Sequence, residues 1–229
     1  MTHQKITVST NTISIGKRLL WILVIWAIQL IYLPTSERMS GGIEPRLPID
    51  VFPVWPVWVV PYLLCYVLWI AGFAWAIFRM PDRRFRAFIV AFLVTCSVSV
   101  VIFILFPTYV RPAVLHGSDP FTNLLRFIHE SAGRYNALPS GHIYITTLLV
   151  FFYSLWYPRY KPLWTLILVV VCFSTLFTAQ HYILDILGGL LVAMLGYYIG
   201  LKWIGVDPVQ SRSVKKHVKL PPPSEGVAD

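Results

Sequence analysis

Three short stretches of this chain carry side chains suited to moving a phosphoryl group. The first is Asn136-Ala137-Leu138-Pro139-Ser140-Gly141-His142, which lies where a polar segment gives way to the apolar run 143–157. Pro139 cannot continue a helix backwards, Ser140 is a favoured N-cap, and Gly141 leaves room for an anion to approach the free N–H groups of a first helical turn. His142 hangs over that turn and can donate a proton near neutral pH. Taken alone, the heptapeptide fits equally well a capped membrane helix whose histidine sits at the interface. The second stretch, Gln180-His181-Tyr182-Ile183-Leu184-Asp185, opens another apolar run, and its His181 and Asp185 are four residues apart, hence on one helix face. An ionisable pair inside a membrane-length segment is costly and marks a functional site by default, although a structural pair has the same spacing. The third is Arg111-Pro112, whose guanidinium is a permanently charged fork that matches phosphate; alone it also fits an ordinary interfacial arginine.

Together the three suit phosphoryl transfer. Asp185 can hold one imidazole N–H of His181 and stabilise its positive form, leaving the other ring nitrogen to attack phosphorus. His142 would protonate the departing oxygen, while Arg111 and the backbone donors at Ser140 and Gly141 would bind phosphate oxygens. A His-His-Asp metal site is conceivable but has no further carboxylate nearby, so no metal or other cofactor is called for.

The elements that must position these groups are membrane helices. Of the 229 residues 57% are hydrophobic and 13% charged, and the mean hydropathy is +0.67. That composition belongs to an integral membrane protein of one domain. The net charge of +9 comes from Lys and Arg clustered between apolar runs, a pattern of membrane topology rather than of nucleic-acid binding. Cys65, Cys96 and Cys172 all fall in apolar runs and read as small core residues. Apolar runs at 19–33, 54–78, 87–106, 142–157, 163–179 and 182–201 predict an all-α, polytopic fold with six transmembrane helices. Residues 34–54 read as an external loop, Arg79, Arg83, Arg84 and Arg86 as a basic turn, and Phe121, Leu124, Leu125, Phe127 and Ile128 as one face of a short amphipathic helix on the membrane. The expected organisation is a cytoplasmic tail at 1–16, a six-helix domain at 17–204 and a disordered basic cytoplasmic tail at 205–229.

Six spans place both termini on one side with 14 of the 19 Lys and Arg residues; the other side keeps Arg38, Arg46, Arg111, Arg126 and Arg134. By the positive-inside rule the termini are cytoplasmic, and the site lies at the external ends of the third, fourth and sixth helices, facing periplasm, exterior or lumen. A plasma (inner) membrane location is expected.

Residues 86–200 resemble the type 2 phosphatidic acid phosphatase superfamily of membrane lipid phosphatases, related to vanadium haloperoxidases. The family pattern is Lys-x6-Arg-Pro, then Pro-Ser-Gly-His, then Ser-Arg-x5-His-x3-Asp. Arg111-Pro112, Pro139-Ser140-Gly141-His142, Ser174, His181 and Asp185 fall at the matching spacing. The resemblance implies a six-helix fold, a metal-independent reaction through a phosphohistidine at His181, His142 as general acid, and a phosphorylated lipid as substrate. Two family cations are absent, since Ile104 stands at the Lys position and Thr175 at the Arg position. In this the chain looks similar to the branch with inositol phosphorylceramide and sphingomyelin synthases, which move a phosphorylated headgroup between lipids. Arg134 or Arg126 is a candidate replacement. A phosphatase, a lipid headgroup phosphotransferase and a non-catalytic membrane protein or transporter are the three readings, and the intact His142, His181 and Asp185 argue against the last.

Overall fold

The computed structural model describes residues 12–38, 40–131 and 135–207. The tails expected at 1–16 and 205–229 fall mostly outside these residues, as does Arg134. The order of elements is α1 (Ile15–Gln29), α2 (Tyr32–Arg38), α3 (Val59–Arg79), α4 (Asp82–Leu105), α5 (Pro120–Ser131), α6 (Gly141–Trp156), α7 (Lys161–Phe177) and α8 (Ile183–Ile204). Single 3-10 turns at Pro56–Trp58 and Pro158–Tyr160 lead into α3 and α7. Among the described residues there is no strand, only two isolated bridges, Ile43 with Thr108 and Tyr109 with Tyr135. The fold is all-helical.

Among the described residues five segments are long and apolar enough to cross a membrane: Ile15–Arg38, Pro56–Arg79, Asp82–Leu105, Pro158–Phe177 and Ile183–Ile204. This is an integral membrane protein. α6 has 16 residues, about 24 Å of helix against a hydrocarbon core of about 30 Å. It is instead the inner helix: Ile143, Tyr144, Leu148 and Phe152 are buried against α4, α7 and α8.

Two boundaries differ from the sequence reading. Residues 34–54 are not all loop, because Pro34 falls in the first turn of α2, where its missing N–H has no partner to lose. Arg83, Arg84 and Arg86 are not a turn but the start of α4, and the reversal itself is Met80-Pro81. Arg18 then ties α1 into the bundle. Its guanidinium donates to the Ala76 and Ile77 carbonyls at 3.0 Å each and pairs with Asp82, so a cation meets the negative end of α3.

α4 packs most extensively on α8. Small residues make this possible: a methyl on Gly200 would come within 2.5 Å of the Ala87 carbonyl oxygen, and one on Gly196 within 2.6 Å of the Ala91 carbonyl oxygen. Higher on α8, a methyl on Gly189 would meet the Ser140 carbonyl oxygen at 2.9 Å, so α6 also approaches closely there. α8 is thus the helix against which both halves of the site are set.

Candidate active site

The two motif stretches meet through the backbone. The Ser140 amide donates to the Asp185 carbonyl at 3.0 Å, which sets the start of α6 against the first turn of α8. Asp185 is fully buried and does two things at once. Its Oδ2 accepts from the Tyr182 amide at 2.8 Å, capping α8, and faces His181 Nδ1 at 3.3 Å. The buried carboxylate of Asp50, in the loop before α3, caps α8 a second time by accepting the Ile183 amide at 2.9 Å.

His181 leaves a tight turn after α7. Ala179 sits at φ 51°, a left-handed conformation that costs a residue with a Cβ, and the Gln180 and His181 amides both donate to the Thr175 carbonyl. The position of the missing family arginine is therefore buried and supplies the backbone anchor of His181. Ile104, at the position of the missing lysine, is 51% exposed on the outside of α4.

His142 projects from the first turn of α6 toward His181, with ring centroids 5.7 Å apart. Its Nε2 is 2.9 Å from the Tyr66 hydroxyl, and its ring lies 4.4 Å from Tyr62 and 5.5 Å from Trp69. Aromatic walls thus fix its orientation. Ser140 holds the N-cap position, but its side chain caps nothing: the hydroxyl is buried with no hydrogen-bond partner among the described residues. The Gly141 and His142 amides likewise have no acceptor there, so the positive end of α6 is left open.

His142, His181, Gly141 and Arg111 line one cavity of about 270 Å³. Arg111 enters from the loop after α4, its side chain 69% exposed, with Nε 2.7 Å from the Glu44 carboxylate. That carboxylate holds the guanidinium even more firmly protonated, and it also accepts the Tyr182 hydroxyl at 2.7 Å. Arg126 does not reach the cavity wall; it bonds Asn123 and the Gly117 carbonyl on its own side of α5.

Four contributors were not visible as such in the sequence. Glu44 and Tyr66 are paired with the site only across large sequence separations. Gln29 is a lone amide within an apolar run, with no motif around it. His129, on α5, lines the same cavity and its Nε2 lies 2.8 Å from the Thr178 carbonyl, which latches α5 to the turn that carries His181. Burial lowers the His129 pKa below its ordinary 6.5. Each of the four lies outside the local motifs, and no spacing rule reaches it.

A buried carboxylate–histidine pair thus faces a second histidine across one cavity of an all-helical membrane protein, an arrangement with the chemistry to move a phosphoryl group. The chain belongs to the PAP2 superfamily, whose family model matches residues 52–199, more than half of its length. Members are generally phosphatases or related phosphotransferases. No curated protein matches the chain. The match begins after α1 and α2 and ends within α8.

Proposed function

We propose that the protein is a membrane lipid phosphate or diphosphate phosphatase that acts through a phosphohistidine on His181. The observation that carries this reading is the His181–Asp185 pair, 3.3 Å apart, facing His142 across a shared cavity. With Nδ1–H held by Asp185, the Nε2 lone pair of His181 attacks phosphorus. The P–O bond to the lipid breaks, and His142 delivers a proton to the leaving oxygen. Water then attacks the P–N bond, giving its proton to His142, and free phosphate departs. Arg111 and the open amides of Gly141 and His142 offset the charge on the phosphoryl oxygens.

This reading includes six spans, with α6 as the short one, cytoplasmic termini, and a cavity facing the periplasm, exterior or lumen. The domain is taken as 17–204, and Arg134 stays a candidate phosphate ligand. A second reading, a lipid headgroup phosphotransferase of the inositol phosphorylceramide or sphingomyelin synthase kind, is favoured by the loss of the cations at Ile104 and Thr175. It uses the same phosphohistidine and replaces water by a lipid alcohol.

The deciding experiment incubates purified protein with phosphatidate, lysophosphatidate, prenyl diphosphates and sphingolipids and measures free phosphate. Release that survives EDTA supports the phosphatase; transfer to an added lipid alcohol supports the second reading. Activity lost to a chelator and restored by a divalent ion overturns both.

A further inference from the structure

One residue of α1, outside the stretch matched by the family model, faces the Gly141 end of the cavity. Gln29 is 7% exposed and lines the cavity wall. Its Oε1 is engaged twice, by the Tyr144 hydroxyl at 2.5 Å and by the Cys96 thiol at 3.5 Å. The oxygen of the carboxamide thus faces Tyr144 and Cys96, and its NH2 group faces the other way. That nitrogen has no acceptor among the described residues. It lies against Gly141, where a methyl group would sit 3.7 Å from Gln29 Nε2 and 3.6 Å from the Tyr144 hydroxyl.

The N–H bonds of a rigid, nearly buried carboxamide and the open amides of Gly141 and His142 therefore border the same space. Gln29 lines the cavity, so an acceptor that enters there meets a carboxamide donor that is not already engaged. An oriented neutral dipole costs less to bury than an ammonium or guanidinium and still stabilises charge that develops beside it.

Resting on the phosphoryl-transfer reading, we propose that Gln29 is a catalytic residue whose carboxamide donates to a phosphoryl oxygen, in place of the cations absent at Ile104 and Thr175. Gly141 is the partner that keeps the space open. The Tyr144 hydroxyl and Cys96 thiol are positioning groups that stop the amide from turning over.

Gln29→Glu tests the donor itself, because it keeps the shape and the acceptor oxygen and replaces NH2 by oxygen. Orthovanadate, a mimic of the phosphoryl transition state, is titrated into the purified full chain, and kcat and KM are measured on a lipid phosphate. Gln29→Glu should bind orthovanadate at least 10-fold more weakly and lose about 10- to 1000-fold in kcat with little change in KM. Tyr144→Phe, which frees the amide, should show a smaller loss of the same kind. If Gln29→Glu is not recovered folded, Gln29→Met decides, since it keeps the length of the side chain and removes the donor without adding charge; it should weaken orthovanadate equally. Wild-type affinity and kcat in the deciding variant overturn this inference alone. A wild-type protein that neither binds orthovanadate nor turns over any lipid phosphate overturns the phosphoryl reading and this inference together.

Discussion

α8 packs in two different ways along its length. In its second half, Gly196 and Gly200 let the α4 backbone in to the limit of contact, and Thr95 donates its hydroxyl to the Val192 carbonyl at 3.2 Å. In its first turn the rule is reversed: Asp185 Oδ1 and the neighbouring Ser140 hydroxyl are buried without partners among the described residues, behind Gly141 and His181, which line the cavity. Each such group costs about 1–3 kcal/mol. The contrast teaches where tolerance for an unfinished site comes from. A seam with few polar demands and close backbone contact holds the helix in place, and the other end can keep its donors and acceptors open for a ligand.

Exchanging what each region lacks separates them. The largest expected effect is at the open end: His181→Ala should lower turnover by about 10⁴- to 10⁶-fold and abolish any acid-labile phosphoenzyme, while the melting temperature stays close to wild type. A large fall in melting temperature would show the pair to be structural. Next, His142→Ala should lose about 10²- to 10⁴-fold on a lipid phosphate but form the phosphoenzyme normally from p-nitrophenyl phosphate, if that substrate is accepted, because its phenolate leaves without a proton. A phosphoenzyme formed by His181→Ala and not by His142→Ala would exchange the two roles.

At the closed end the signature is opposite. Gly200→Leu should destabilise the fold by about 1–3 kcal/mol or more, seen as a lower melting temperature, while the folded fraction keeps the affinity of the wild type for orthovanadate. Lost affinity in folded protein would mean that the two ends are coupled. The smallest effect is a pH dependence. Burial holds the folded His129 pKa below 6.5, so between those two values the unfolded chain binds more protons. The contribution of His129 is fully present above pH 6.5 and is lost as pH falls through that window. Melting curves should show this decline in the wild type and lack it in His129→Gln, whose amide can still donate to the Thr178 carbonyl.

The parts legible in the sequence were those written within one helical turn. Pro139-Ser140-Gly141-His142 marks its own helix start, and the His181, Asp185 spacing marks a pair, although His181 stands before α8 and meets Asp185 at the capped turn rather than on one helix face. The apolar runs gave the helices to within a few residues. Ser140 illustrates the limit: its N-cap position was readable, but not that its hydroxyl would face no amide. Glu44 with Arg111, Tyr66 with His142 and Gln29 with Tyr144 are contacts between residues 67, 76 and 115 apart. Such pairs depend on how whole helices pack, which periodicity does not encode. Gln29 was further disguised, since one amide in an apolar run differs little in composition from lipid-facing sequence.

The double anchor of His181 on Thr175 makes α7 a lever arm. Among its 17 residues only Val171, Ser174 and Thr175 are buried, so most of its surface is open to lipid. Thr175 lies about 21 Å from its far end at about 1.5 Å per residue, so a rotation of about 3° about that end moves the Thr175 carbonyl by about 1 Å. A misplacement of about 1 Å is enough to change a rate by about 100-fold. The tilt of a lipid-facing helix follows the thickness of the bilayer around it. With His181 as the nucleophile proposed above, the acyl chain length of the host membrane would then bear, through one carbonyl oxygen, on the geometry of the attacking nitrogen.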